Sequence, residues 1–132
     1  LHILLAEDNE LNMEIAEFVL ENKGAVVTKA ENGEKAVELF RNSGIGEYDA
    51  VLMDIMMPEM DGLSATKAIR ALDREDAKTI PIIAMTANAF DEDEKKCMEA
   101  GMNAHLVKPL DIQKMKEAVC RYLNKQNDRQ GD

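Results

Sequence analysis

Short apolar runs alternate along the chain with longer stretches of helical period. The runs are "HILLAE" (residues 2–7), "AVVTKA" (25–30), "AVLMD" (50–54), "IIAMT" (82–86) and "AHLVK" (104–108). Three of them are apolar almost throughout, as strands of a parallel sheet covered on both faces must be. "AVVTKA" and "AHLVK" are more mixed, which puts them nearer the sheet edges. Between the runs, apolar residues recur at helical spacing: Leu11, Ile15, Phe18 and Val19; Ala36, Val37 and Phe40; Ala65, Ile69 and Leu72; and Ile112, Met115, Val119 and Leu123. Each stripe predicts a helix with one face on a sheet. The segment from Phe90 to Ala100 opens with the charged run "DEDEKK" and has only Cys97 and Met98 as apolar side chains. It reads as a further helix, the loosest of the set.

The pattern is β-α repeated five times. Crossovers of this length imply parallel strands joined right-handedly. The expected fold is α/β, a doubly wound five-stranded parallel sheet of flavodoxin-like order 2-1-3-4-5. One domain over residues 1–123 accounts for the whole pattern, leaving a polar tail over 124–132.

Composition agrees with that picture and removes some functions. The 132 residues are 45% hydrophobic and 32% charged, enough for one solvated domain with a real core. Acids outnumber bases 26 to 16, giving a net charge of −10, and no basic run exists. Binding to nucleic acid draws on basic surface, so direct contact with it is not expected. No apolar stretch approaches the roughly 20 residues of a membrane span, and no secretory signal is evident. Cys97 and Cys120 stand far apart outside any metal-binding spacing, which fits free thiols in a reducing, cytoplasmic setting. The chain starts at Leu1, already in strand pattern, so further sequence is expected before it.

Candidate chemistry gathers at the strand ends. In open α/β sheets the site lies beyond the carboxyl ends of the strands. The first strand ends in Glu7 and Asp8, the third in Asp54, the fourth in Thr86, and the fifth in Lys108 followed by Pro109. In the expected strand order these ends are neighbours. Three carboxylates in one crevice repel one another unless a cation joins them, and hard oxygen donors favour Mg²⁺. One nucleophilic carboxylate, a metal, a lysine and a hydroxyl are what phosphoryl transfer onto an aspartate requires. His2, at the opposite end of its strand, is too remote to serve as a ligand.

"AEDN", "MDIMMPEMDG", "MTANAF" and "HLVKPLD" together, in order, each at a strand end, resemble the receiver domain of two-component response regulators. "DNELN" and "MTANAF" are most similar to receivers fused to hybrid sensor histidine kinases. The resemblance implies that Asp54 is the phosphoacceptor. It implies that Asp8 binds Mg²⁺ directly, Glu7 mostly through a metal-bound water, and that the backbone carbonyl of Met56 completes the protein ligands. Lys108 would pair with the acceptor and then with the phosphoryl group. Thr86 would bond a phosphoryl oxygen and report the change outward, and Ala87 is small enough to leave room. The Lys108–Pro109 bond would be cis. The donor would be a histidine phosphotransfer protein or a kinase's own phosphohistidine. Leu11, Asn12 and Ile15 on the first helix, with Pro58 and Pro109 beside the site, would form the surface it meets. Such a domain catalyses its own phosphorylation and slow dephosphorylation, carries no kinase domain and makes no membrane contact itself. It is cytoplasmic, tethered where its parent kinase is membrane-bound.

Two positions depart from the family pattern. The acidic pair is Glu-Asp where Asp-Asp is commoner. His105 stands three before Lys108, where relatives often carry the Tyr or Phe that turns inward with the Thr, so His105 is the switch candidate beside Thr86. A haloacid-dehalogenase-type phosphatase would need a second aspartate two residues after the nucleophile, where this chain has Met56. A phosphorylation-independent module would have lost the acceptor, the metal acid or the lysine, and all are present.

Overall fold

The computed structural model describes residues 2–55, 60–86, 91–107 and 117. In chain order the elements are β1 (His2–Ala6), α1 (Glu10–Asn22), β2 (Val26–Ala30), α2 (Gly33–Arg41), β3 (Ala50–Asp54), α3 (Gly62–Arg70), α4 (Glu75–Thr79), β4 (Ile82–Thr86), α5 (Asp91–Ala100) and β5 (Ala104–Val107). The five strands form one parallel sheet in the order β2-β1-β3-β4-β5, as the pattern predicts. The mixed runs β2 and β5 are the edge strands. Of the final helical pattern only Glu117 is described, and it is helical.

Alternation along the strands divides the core into two layers. Ile3, Leu5, Leu52, Ile83 and Met85 point to one face and pack with Ala16, Val19 and Leu20 of α1. Leu4, Ala6, Val51, Met53, Ile82 and Ala84 point to the other and pack with Val37, Phe40 and Ile69 of α2 and α3. Burial on both faces is why the central strands read as unbroken apolar runs. Local chemistry starts the first three helices. Asn9, Asn32 and Asp61 are N-caps whose side chains accept from the N–H groups of Asn12, Lys35 and Ser64 at 3.0, 2.7 and 2.8 Å.

The structure corrects three sequence readings. First, of the expected α1 stripe of Leu11, Ile15, Phe18 and Val19, only Val19 is buried. Ala16, Val19 and Leu20 are buried, while Leu11 and Phe18 are 65% and 64% exposed. The helix carries two apolar stripes, and the one containing the small Ala16 lets the axis approach the sheet closely. Second, the short helix α4 lies between α3 and β4, where no periodic stripe announced it; its one buried residue is Ala77. Third, α3 ends at Arg70, so Leu72 packs against the core from beyond the helix. In α5 the apolar pair splits as well: Cys97 is buried and Met98 is exposed.

Two arginines bind the flank of the domain together. Arg74 donates to the carbonyls of Phe40, Ser43 and Gly44 at 2.7, 3.0 and 3.1 Å. Its guanidinium lies 4.7 Å from the Phe40 ring centroid and pairs with Asp76 at 2.7 Å. Thus one side chain caps the carbonyl end of α2, a place where helices otherwise leave acceptors unpaired. Asp76 also accepts from the N–H of Gly46 at 3.0 Å, drawing in the loop before β3. Arg70 donates to the carbonyl of Gly101 at 3.0 and 2.8 Å, to that of Ala77 at 3.0 Å and to Asn103 Oδ1 at 2.9 Å. It ties α3 to α4 and to the turn before β5.

The hydrogen bond from Arg74 holds the Asp76 carboxyl below its ordinary value of 3.8. A depressed carboxyl stabilises the fold above its unfolded value and loses that contribution as pH falls through the folded one. Denaturant titrations should therefore find Asp76→Asn less stable than the parent at neutral pH, with the gap closing below about pH 4. A gap that stays constant into acid would show that the carboxylate charge contributes nothing. Arg74→Met should cost about 2–3 kcal/mol, because several carbonyls lose their donor at once.

Candidate functional site

The site is built on strand ends whose positions the backbone ladder sets. In the β1–β3 register Ala6 faces Met53, and in the β3–β4 register Asp54 faces Met85. Glu7 and Asp8 leave β1 beside the tip of β3, and Thr86 ends β4 one residue past the partner of Asp54. The Ile55 N–H donates to the Met85 carbonyl at 3.0 Å, carrying the pairing one step beyond Asp54. Asp54 is 1% exposed, Glu7 2% and Thr86 5%, while Asp8 faces solvent.

Glu7, Asp8 and Asp54 each offer a carboxylate oxygen, and these lie within 4.8 Å of one another. At an effective dielectric of about 20, two unit negative charges about 4 Å apart repel by about 4 kcal/mol. Such a group holds together best around a cation. Its donors are all hard oxygens, two recessed and one facing water, which suits a small divalent ion that keeps part of its hydration. The donor set therefore fits Mg²⁺.

Asn9, a residue the motif reading passed over, prepares this group. Its side chain caps α1, and its own N–H donates to Glu7 Oε1 at 3.1 Å. The Glu7 N–H in turn donates to the Ala30 carbonyl at 3.0 Å. Glu7 is thus oriented from both sides. The signal was present in the sequence, as an Asn directly before an amphipathic helix.

Gly62 marks a close approach of two backbone segments. It is the first residue of α3, and a Cβ there would lie 2.2 Å from the Asp54 carbonyl oxygen. Its N–H donates to the Ile55 carbonyl at 2.9 Å. Close approach demands glycine here, and it brings the α3 N-terminus onto the backbone of β3 at Asp54. Gly33 repeats the device, since a Cβ there would lie 2.2 Å from the Met60 carbonyl oxygen.

The structure thus brings Glu7, Asp8 and Asp54 together and ends β4 with Thr86 beside them. His105 is half-buried on β5, its Cα paired with Ala84. Asn12 and Ile15 are half-buried on α1, with Leu11 exposed. Met56, Met57, Pro58, Ala87, Lys108, Pro109 and Cys120 lie outside the described residues, and with them the Lys108–Pro109 peptide. At the far end of β1, the His2 ring meets Thr28 Oγ1 at 2.5 Å and lies 4.6 Å from the Tyr48 ring, away from the site.

The fold and this acid cluster define a class: a doubly wound parallel sheet with a carboxylate-lined crevice at the carboxyl ends of its strands. The family model for the response regulator receiver domain matches residues 3–120, and the chain belongs to that family. It is 35% identical to a probable histidine kinase 1 of Oryza sativa subsp. indica, over 92% of this chain and 15% of that protein. It is 42% identical to hybrid signal transduction histidine kinase B of Dictyostelium discoideum, over 82% of this chain and 6% of that one. The chain therefore spans only a small part of these relatives. Among solved structures, it is 40% identical to the receiver domain of a Pseudomonas aeruginosa sensor histidine kinase, with a TM-score of 0.83 over 93% of this chain and 97% of that one. That receiver was crystallised with a magnesium ion coordinated in its active-site cleft.

Gly62→Ala should destabilise the domain by about 1–3 kcal/mol, since backbone must move to admit the methyl group. A denaturant midpoint equal to that of the parent would show that the approach of α3 to Asp54 is not tight.

Proposed function

We propose that this receiver takes a phosphoryl group from a phosphohistidine onto Asp54, as part of a hybrid sensor histidine kinase. The observation that carries this reading is the cluster of Glu7, Asp8 and Asp54, with oxygens within 4.8 Å of one another at the carboxyl end of the sheet. An Asp54 oxygen attacks phosphorus and the P–N bond to the donor breaks. The imidazole nitrogen leaves with the electron pair, and Asp54 becomes an acyl phosphate. Hydrolysis reverses the acid's role: water attacks phosphorus and the carboxylate leaves. The domain thus catalyses its own phosphorylation and dephosphorylation without a kinase domain of its own.

Asp8 and Asp54, with Glu7 acting mostly through water and the Met56 carbonyl as the remaining protein donor, would hold Mg²⁺. When bound, that ion would neutralise negative charge shared by the carboxylates and the incoming phosphoryl oxygens. Glu7 is buried and oriented by Asn9, which suits a charge-setting role better than direct contact with the phosphoryl group. The Thr86 hydroxyl donates to a phosphoryl oxygen, and Lys108 neutralises another. Movement of Thr86, with His105 following on β5, carries the change to the surface.

The donor is a histidine phosphotransfer protein or the phosphohistidine domain of a kinase. It meets Leu11, Asn12 and Ile15 on α1, with Pro58 and Pro109 at the rim. Residues 1–123 form the receiver and 124–132 a polar tail. None of the helices among the described residues is long and apolar enough to cross a membrane. The domain works on the cytoplasmic side, tethered where its parent kinase is.

Intact mass after incubation with acetyl phosphate should show one added phosphoryl group with Mg²⁺ and none with a chelator. Asp54→Asn should abolish the addition. Lys108→Ala should still accept the group but fail to show the surface change, read as amide shifts on β5. Labelling that persists in Asp54→Asn would refute the assignment.

A further inference from the structure

Among the described residues, the ties that hold α5 gather at its carboxyl end. The helix opens on an all-charged run, Asp91 to Lys96, and its apolar side chains come last, with Cys97 and Ala100 buried. Beyond them the backbone closes the helix twice. Gly101, at a φ of 106°, donates to the Met98 carbonyl at 3.1 Å, and Met102 donates to the Cys97 carbonyl at 3.0 Å. A left-handed glycine permits this paired closure. Arg70 then clamps the turn from α3. Its Nε and Nη2 both donate to the Gly101 carbonyl, Nη2 also reaches Asn103 Oδ1, and Nη1 reaches the Ala77 carbonyl. The Arg70 stem packs against Gly101, where a Cβ would lie 3.0 Å from Arg70 Cγ. Asn103 fastens the same turn to the sheet: its Oδ1 accepts from the Ile82 N–H at 2.8 Å, and its own N–H donates to the Ile82 carbonyl at 2.8 Å. At the other end of α5, residues 87–90 join it to Thr86 at the tip of β4.

We propose that α5 works as a lever: Arg70 fixes its carboxyl end at Gly101, and a shift of Thr86 swings its amino end. The proposal rests on the phosphotransfer reading, in which Thr86 moves toward the phosphoryl group, and adds the fixed point and the residue that makes it. An arginine suits a fixed point because its planar fork holds several acceptors in one geometry, here from the end of α5, from α4 and from the start of β5. The ten residues of α5 span about 15 Å. A shift of about 1–2 Å at the amino end, the size common in helix switching, becomes a tilt of about 4–8° with Gly101 unmoved. The charged start carries no apolar side chain that would have to leave a packed core as it swings.

The test is NMR of the whole chain in Mg²⁺, with and without beryllofluoride as a phosphoryl mimic. In the parent, beryllofluoride should reorient the α5 axis, read from residual dipolar couplings, while the Arg70 Nε–H and the Gly101 and Met102 amides stay protected from exchange in both states. In Arg70→Met, those two amides should exchange at least about tenfold faster once the mimic is bound, because the pull on α5 then reaches its carboxyl end. Arg70→Lys keeps the charge and most of the stem but not the fork, and should behave as Arg70→Met does. It is the milder change and covers the case in which Arg70→Met does not fold. Asp54 labelling by acetyl phosphate should stay at parental level in both variants, since the clamp meets β4 at Ile82, the opposite end from Thr86. An α5 axis that does not move, protection lost at Gly101 and Met102 in the parent on binding the mimic, or parental exchange in both variants would overturn the lever. These outcomes count against the lever alone when the parent is labelled at Asp54. A parent that takes no phosphoryl group from acetyl phosphate would instead overturn phosphotransfer, and with it the pull on Thr86.

Discussion

Asp54 is positioned by backbone before anything acts on its side chain. The strand that carries it is hydrogen-bonded on both sides, and all five of its residues are buried. Sliding β3 by one residue would exchange Val51 and Met53 for Leu52 between the core layers and turn Asp54 to the other face. Both layers resist that exchange, because each is packed against helices. The carboxylate is therefore held in place by apolar packing several residues away. Gly62 closes the arrangement from the far side, by letting the start of α3 rest on the Asp54 carbonyl.

That rigidity makes a costly cluster of acids tolerable. Glu7 comes from β1 and is steered by the cap that starts α1; Asp54 comes from β3, and neither can withdraw far from the other. A cluster of this kind is preorganised for positive charge. Family membership and the magnesium-bearing Pseudomonas receiver agree with the chemistry that the donor set favours on its own.

Away from the site, polar side chains do work that the small core leaves undone. Arg74 gathers the carbonyl end of α2, the following loop and Asp76 into one network, and Arg70 does the same for α3, α4 and the turn before β5. Arg70 donates to neutral carbonyls and an amide oxygen, and burial lowers its affinity for a proton from the ordinary guanidinium value. Both anchors lie on the α2–α3 layer. On the other layer, α1 keeps a partly uncovered apolar ridge, so the two sides of the sheet serve different ends.

The strands, their parallel order and the acids at their tips were all legible in the sequence. Unbroken apolar runs mean burial on both faces, and an acid ending such a run falls at the carboxyl end of the sheet. Asp54 and Thr86 were found at the strand ends where the runs stop. Lys108 and its proline neighbour were read in the same way and lie outside the described residues. What periodicity could not decide was which of two apolar stripes on α1 faces inward. Both have helical spacing, and only the close fit of Ala16, Val19 and Leu20 against the sheet selects one and leaves Leu11 and Phe18 outside. Nor could it show α4, whose single buried alanine leaves no periodic trace, or the two arginine networks, whose acceptors lie about thirty residues away in the chain. Local pattern records what each residue prefers. Which face is covered, and which carbonyl a distant arginine reaches, depends on contacts that exist only after the sheet has assembled.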